Sequence, residues 1–159
     1  FYVRKGPAWR FAGLDSLRKI KLGAIQDYTY ERNVDVYIRK NAGSDRILLT
    51  KGNDALLSLI QALRIGRIDA FIENAPVVRS VVESSGFVGD VEPAGHTKGL
   101  DLYVPMSPRV QGSRRLVREF DRGLTRLRSG GRLEAILKRY GLVDWRGKEP
   151  ATRKGGSQE

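Results

Sequence analysis

Short apolar runs alternate with helical stripes along the first hundred residues, and this alternation constrains the fold more than any single motif. Lys21-Leu22-Gly23-Ala24-Ile25 reads as a buried strand bounded by polar residues. Glu31 to Lys40 follows, with Val34, Tyr37 and Ile38 on one helical stripe. Ile47-Leu48-Leu49-Thr50 is a second short strand. Asn53 caps a helix carrying Leu56, Leu57, Leu59, Ile60 and Leu63, and Gly66 stops it. Ile68 to Ile72 reads as a third buried strand. Pro76 then takes a first-turn position in a helix from Val77 to Ser84. Val88 to Val91 and Leu100 to Val104 are the last strand candidates. Ahead of all these, Phe1 to Arg4 alternates like the end of a strand and stops at Pro7. Gly13 to Leu17 offers a turn and the start of a short helix. Strands joined to helices by short loops predict an α/β layered sheet.

Pro105 and Pro108 break this rhythm, and two helices follow. Leu116, Phe120, Leu124 and Leu127 share a stripe of the first, which Gly130-Gly131 ends. Leu133, Ile136, Leu137 and Tyr140 form the stripe of the second, with Gly141 after it. The segment from Lys148 to Glu159 is apolar only at Ala151 and is expected to be disordered. A length of 159 residues suffices for one domain or two small lobes. No apolar run approaches the ~18 residues of a membrane span. The chain opens Phe1-Tyr2-Val3-Arg4-Lys5, without an initiator Met or a long apolar h-region, so no signal peptide is expected within it; a chain that starts inside a strand is expected to be a segment of something longer.

Charge and residue types narrow the chemistry. There are no cysteines, which excludes disulfides, thiol nucleophiles and Cys-ligated zinc. His96 is the single histidine, in a Gly-rich turn that favours a structural or solvent role, so a His-based metal cluster is excluded. Neither G-x-S-x-G, Walker A nor G-x-G-x-x-G occurs, and no cofactor is expected. Net charge is +11, concentrated between Ser113 and Arg139, where nine basic residues meet three acids. That excess reads either as a solvated helix face or as an anion-binding surface. The stripes lack the interleaved aromatics of a single-strand platform, so nucleic acid is not expected as a partner.

The loop after the Lys21–Ile25 strand carries the most specific physical signal. A strand running into a helix leaves helix N–H groups unpaired at the strand's C-terminal end, where they favour a carboxylate or phosphate. Asp27, Tyr28, Thr29 and Tyr30 would supply polar groups and aromatic faces there. The alternative is a plain helix cap with two packing tyrosines. Glu73 and Asn74 lie where the Ile68–Ile72 strand should end, a second place for ligand contacts in an open α/β sheet. A pairing of Glu73 with Asp69 as acid and base is disfavoured by their separation along strand and loop.

Three stretches resemble a known family. Trp9 to Leu17 with Lys21 to Ile25 and Tyr28-Thr29-Tyr30 is similar to the middle of bacterial family 3 extracellular solute-binding proteins, the amino-acid-type receptors of ABC importers. Ala62 to Ala70 is similar to that family's "aL..GRiDA" helix–strand junction, and Leu124 to Leu133, ending at Tyr140-Gly141, to its closing pair of helices. The resemblance covers about residues 1–145 and implies a periplasmic-binding-protein-like fold with two α/β lobes closing on a small solute. It implies a second lobe over residues 11–99. Residues 1–10 and 100–147 would be hinge strands and the remnant of a first lobe, and residues 148–159 a tail. Most of the first lobe, with the family's carboxylate-gripping arginine, would lie upstream of Phe1. The isolated piece would expose hinge and cleft surface, and self-association is then expected. One departure stands out: the family's ammonium-gripping aspartate falls on Asn74, which cannot supply a countercharge, with Glu73 beside it.

The resemblance implies a non-catalytic, periplasmic, substrate-binding component of an ABC importer. Its partners would be a small polar solute and a membrane permease, and its ligand-binding residues Asp27, Tyr28, Thr29, Tyr30, Glu73 and Asn74. An enzyme or sensor on the same scaffold, dehydratase-like or signalling, is the alternative, because fold does not fix function. A basic nucleic-acid-binding module ranks third.

Overall fold

The computed structural model describes residues 1–6, 9–98, 103–144 and 146. The chain divides into two compact units, residues 1–101 and 102–159. The first contains β1 (Tyr2–Arg4), α1 (Leu14–Leu17), β2 (Leu22–Ile25), α2 (Arg32–Asn41), β3 (Ile47–Thr50), α3 (Ala55–Arg64), β4 (Ala70–Phe71), α4 (Ala75–Ser85) and β5 (Val91–Pro93).

These strands form one five-stranded sheet in the order β3-β2-β4-β1-β5. Strand β2 runs parallel to both neighbours, Leu22 opposite Ile47 on one side and Ala70 on the other. Strand β1 is antiparallel to its two neighbours, with Tyr2 opposite Phe71 and Pro93. Within residues 1–10, expected to hold a hinge strand, Tyr2–Arg4 form a strand of this sheet.

Alternation along the strands loads both faces. Ile25 and Phe71 pack with Leu56, Leu59, Ile60 and Leu63 of α3 and with Val78 and Val82 of α4. Leu22, Ala24, Ala70 and Val3 pack on the other face with Leu17 of α1 and Val34 of α2. Gly23 allows the close approach of α3: a Cβ there would stand 2.6 Å from Ile68 Cδ1 and 2.7 Å from Leu59 Cδ2.

Several boundaries differ from expectation. Helix α3 has Asp54, not Asn53, at its N-cap, without a side-chain bond. The expected strand Val88–Val91 shifts to Val91–Pro93. Residues 86–90 are consumed by the end of α4, where Gly86 is left-handed, Phe87 N donates to Val82 O and Asp90 N donates to Phe87 O. Of the candidate strand Leu100–Val104, residues 100–102 lie outside the described residues, and Tyr103 and Val104 are not in a strand. The tail from Lys148 also lies outside them.

The second unit contains α5 (Ser113–Ser129) and α6 (Arg132–Arg139). Buried Ser113 starts α5, its hydroxyl donating to Ser107 O at 2.6 Å or Val110 O at 2.8 Å. Arg128 grips Asp144 through both oxygens, Nε to Oδ2 at 2.6 Å and Nη2 to Oδ1 at 3.1 Å. Leu133 is buried, whereas Leu116 and Phe120, on the stripe of α5, are 53% and 47% exposed. Among the described residues, no helix is long and apolar enough to cross a membrane.

Candidate functional site

Because β2, β3 and β4 are parallel, the loops leaving their C-terminal ends emerge along one edge of the sheet. These are residues 26–31 before α2, 51–54 before α3 and 73–74 before α4. Strand β1, running the other way, brings Phe1 and Tyr2 to the same edge, and β5 brings Pro93 and the residues after it. All six candidate residues therefore lie at one edge, as open α/β sheets require of a ligand site.

The loop after β2 is built by its own polar groups. Asp27 turns it with φ +63°, a left-handed conformation that aspartate tolerates better than bulkier residues. Tyr30 closes it, its hydroxyl accepting from Ile25 N at 2.9 Å. Burial pushes that hydroxyl above the usual tyrosine range. Nearby Glu73, Tyr28 and Asp35 add to the rise, and the Ile25 bond opposes it. Tyr28 differs: it is 57% exposed, its ring tilted at 42° and 6.3 Å from that of Tyr30. Tyr30 is thus a packing residue, and Tyr28 is an open aromatic face.

The expected anion cradle at the amides of residues 28–30 is largely filled from within. Tyr28 N donates to Ile25 O at 3.4 Å, and Tyr30 N donates to Asp35 Oδ1 at 3.0 Å. Glu31 caps α2, its Oε2 accepting from Val34 N at 3.3 Å. Two of the protein's own carboxylates already satisfy the positive end of this helix. Thr29 keeps its side chain and amide without a partner among the described residues.

Glu73 and Asn74 form the second wall. Asn74 is exposed, caps α4 without a side-chain bond and donates its backbone N to Glu73 Oε1 at 2.6 Å. Glu73 is turned inward: it is half-buried, and its Oε2 is buried without a hydrogen-bond partner. Burial raises its pKa above the ordinary glutamate value, with the Asn74 amide partly offsetting this. Asp69 is not its partner, since Asp69 Oδ2 accepts from Lys21 N at 2.7 Å at the opposite edge.

Beside Glu73 lies a cavity of about 390 Å³, walled by Phe1, Tyr2, Ile72, Pro93, Gly95 and His96 among others. The sequence pattern had not connected these residues. His96 contributed only a turn signal, and its Nδ1 indeed lies 3.0 Å from Thr97 O. Among the described residues, no three His, Asp or Glu side chains cluster as metal ligands.

Solved structures resemble this chain in fold. A histidine kinase sensor domain with similarity to periplasmic binding proteins matches 90% of the chain and 59% of its own length, at 18% identity and TM-score 0.56. An ancestral arginine-binding protein bound to arginine matches 88% and 58%, at 21% identity and TM-score 0.59. An ancestral arginine-binding protein bound to glutamine matches 88% and 57%, at 22% identity and TM-score 0.55. The fold is periplasmic-binding-protein-like. The lobe is an α/β one, as the sequence predicted, with a mixed five-stranded sheet and helices on both faces. The chain spans just under three-fifths of the length of these structures. No family model matches the sequence, and no curated protein matches it.

Proposed function

We propose that this chain forms one lobe of a non-catalytic, periplasmic solute-binding receptor that delivers a small polar, amino-acid-like solute to the permease of an ABC-type importer. The observation that carries this reading is the gathering of Tyr28, Thr29, Glu73 and Asn74 at the C-terminal edge of parallel strands, with Glu73 also lining a cavity of about 390 Å³. That volume falls within the roughly 300–1,000 Å³ typical of small-molecule sites. The likeness to arginine-binding proteins supports a solute of amino-acid size. In this reading the site is completed by a first lobe, with solute held between the two.

A second reading is favoured by the sensor-domain likeness, which extends over as much of the chain. There the same lobe would detect its solute for signalling rather than transport. A thermal-shift screen of the full-length protein against amino acids, polyamines and carboxylic acids, with calorimetry of each hit, tests the binding shared by both readings. Stimulation of a reconstituted permease by the liganded protein favours transport, and solute binding without any such stimulation favours sensing. A protein that binds none of these solutes defeats both.

A further inference from the structure

We propose that the arginine row of α5 is an electrostatic docking surface for an anionic lipid bilayer, which it meets at the headgroups without insertion. The choice of a bilayer rests on the receptor and sensor readings above, since each sets the protein to work beside a membrane.

The row follows from helical spacing. At about 100° per residue, Arg114, Arg115, Arg118, Arg122 and Arg126 fall within an arc of about 120° on α5. Four of them, Arg114, Arg118, Arg122 and Arg126, succeed one another at four-residue steps, a row of roughly 18 Å at 1.5 Å per residue. The other residues of the arc are Thr125 and Ser129, and all seven are exposed. Both hydroxyls are turned back onto the helix, Thr125 donating to Asp121 O at 2.8 Å and Ser129 to Arg126 O at 3.3 Å. The guanidinium groups are therefore what the arc offers to its surroundings.

Within the protein this arrangement is unfavourable. Like charges four residues apart on a helix repel, and the row contains three such steps. Arg114 and Arg115 also stand in the first turn of α5, which has no acid, where the helix dipole opposes a cation. The helix's own acids, Glu119 and Asp121, fall outside the arc. Glu119 pairs with Arg122 at 3.1 Å. Among the described residues no carboxylate pairs with Arg114, Arg115, Arg118 or Arg126. Arg128, also outside the arc, is held by Asp144. An external surface of negative charge relieves the repulsion and the dipole conflict together.

The composition of the arc selects the kind of surface. Protein partners are gripped by aromatic and apolar anchors at the centre of an interface, and the arc holds no apolar or aromatic side chain. Single-stranded nucleic acid requires aromatic platforms for its bases, which are equally missing from it. A bilayer of anionic lipids presents one sign of charge repeated in a plane, and each arginine near it adds to the attraction. Guanidinium groups also fork onto phosphate oxygens, which lipid headgroups supply. Leu116, Phe120, Leu124 and Leu127 lie on the opposite side of α5, so a membrane met by the arginines is touched at its headgroups and not entered.

The test is co-sedimentation of the full-length protein with vesicles at low ionic strength. One set contains equal parts phosphatidylglycerol and phosphatidylcholine, the other phosphatidylcholine alone. The expected result is binding to the mixed vesicles only, weakened by added salt. Replacing both Arg118→Gln and Arg126→Gln should weaken it by at least about tenfold without lowering the melting temperature, while Arg118→Lys with Arg126→Lys should keep most of it. Equal binding to both vesicle types, or unchanged affinity of the double glutamine variant, overturns the proposal. So does a DNA duplex that binds more tightly than the mixed vesicles at the same salt, which would assign the row to nucleic acid. Failure to bind either vesicle overturns it too. The solute screen is independent of these measurements: a protein that binds solute but no vesicle keeps the receptor reading and loses this surface.

Discussion

The hydroxyl of Tyr30 accepts the amide proton of Ile25 at 2.9 Å, tying the last residue of β2 to the far end of the loop that leaves it. Ile25 is buried, so its N–H has no water to fall back on. Replacing Tyr30 by Phe keeps the ring and deletes the acceptor. Tyr30→Phe should therefore lose about 1–3 kcal/mol, the cost of one buried donor left unpaired. Urea unfolding of parent and variant measures it, and an unchanged midpoint would show the bond to be dispensable.

Gly23 has the least room of the described glycines, with Ile68 and Leu59 where a methyl would go. Both neighbours are buried and have little room to retreat. Gly23→Ala should destabilise by about 1–3 kcal/mol through overpacking. The same denaturant experiment checks this, with a fluorescence or dichroism spectrum confirming that the variant still folds.

Glu73 sets a dependence on pH whose sign follows from its environment. Burial lifts its pKa, and the Asn74 amide only partly restores it. A carboxyl held high binds its proton more tightly in the folded state. Its contribution is complete below the ordinary value of 4.5 and is lost as pH rises through the shifted one. Glu73→Gln should thus gain stability relative to the parent between pH 4 and pH 7. Melting temperatures of both proteins across that range would reveal it, and parallel curves would refute it.

Asn74 offers a neutral amide at the N-terminus of α4. Asn74→Asp should strengthen binding of an amino-acid ammonium, because a charge-assisted bond is about twice as strong as a neutral one. Titration with the best amino acid found in the screen gives the answer. A variant with unaltered affinity would remove Asn74 from the binding wall.

Much of the fold is legible in the residue pattern, because β2, β3 and the helices between them are local. Leu22–Ile25 and Ile47–Thr50 are short apolar runs, and the stripe of α3 fills the face above them. What the pattern concealed depends on distant partners. Strand β1 pairs with residues about 70 and 90 positions later, which no local periodicity reports. The ladder at β4 is two residues long although the expected strand, Ile68–Ile72, is five. Ile68 N bonds back to Ala62 O and Asp69 N to Lys21 O, outside that ladder. The cavity escaped for the same reason, since its walls come from residues 1–2, 72–75 and 93–97. Glu73's inward turn is a matter of side-chain rotation at a strand end, where spacing has no bearing.

The place of β1 between β4 and β5 has a consequence for biosynthesis. Tyr2–Arg4 are made before the other strands of the sheet, but the strands that flank them are completed only when Val91–Pro93 have been added. At roughly 5–20 residues per second, the ribosome leaves this segment waiting on the order of 5–20 seconds. Phe1 and Val3, fully enclosed in the finished protein, stay open to solvent and to chaperones throughout that interval. The β1–β5 end of the sheet is the last part to close, and half-made chains caught at that stage are the species most exposed to aggregation.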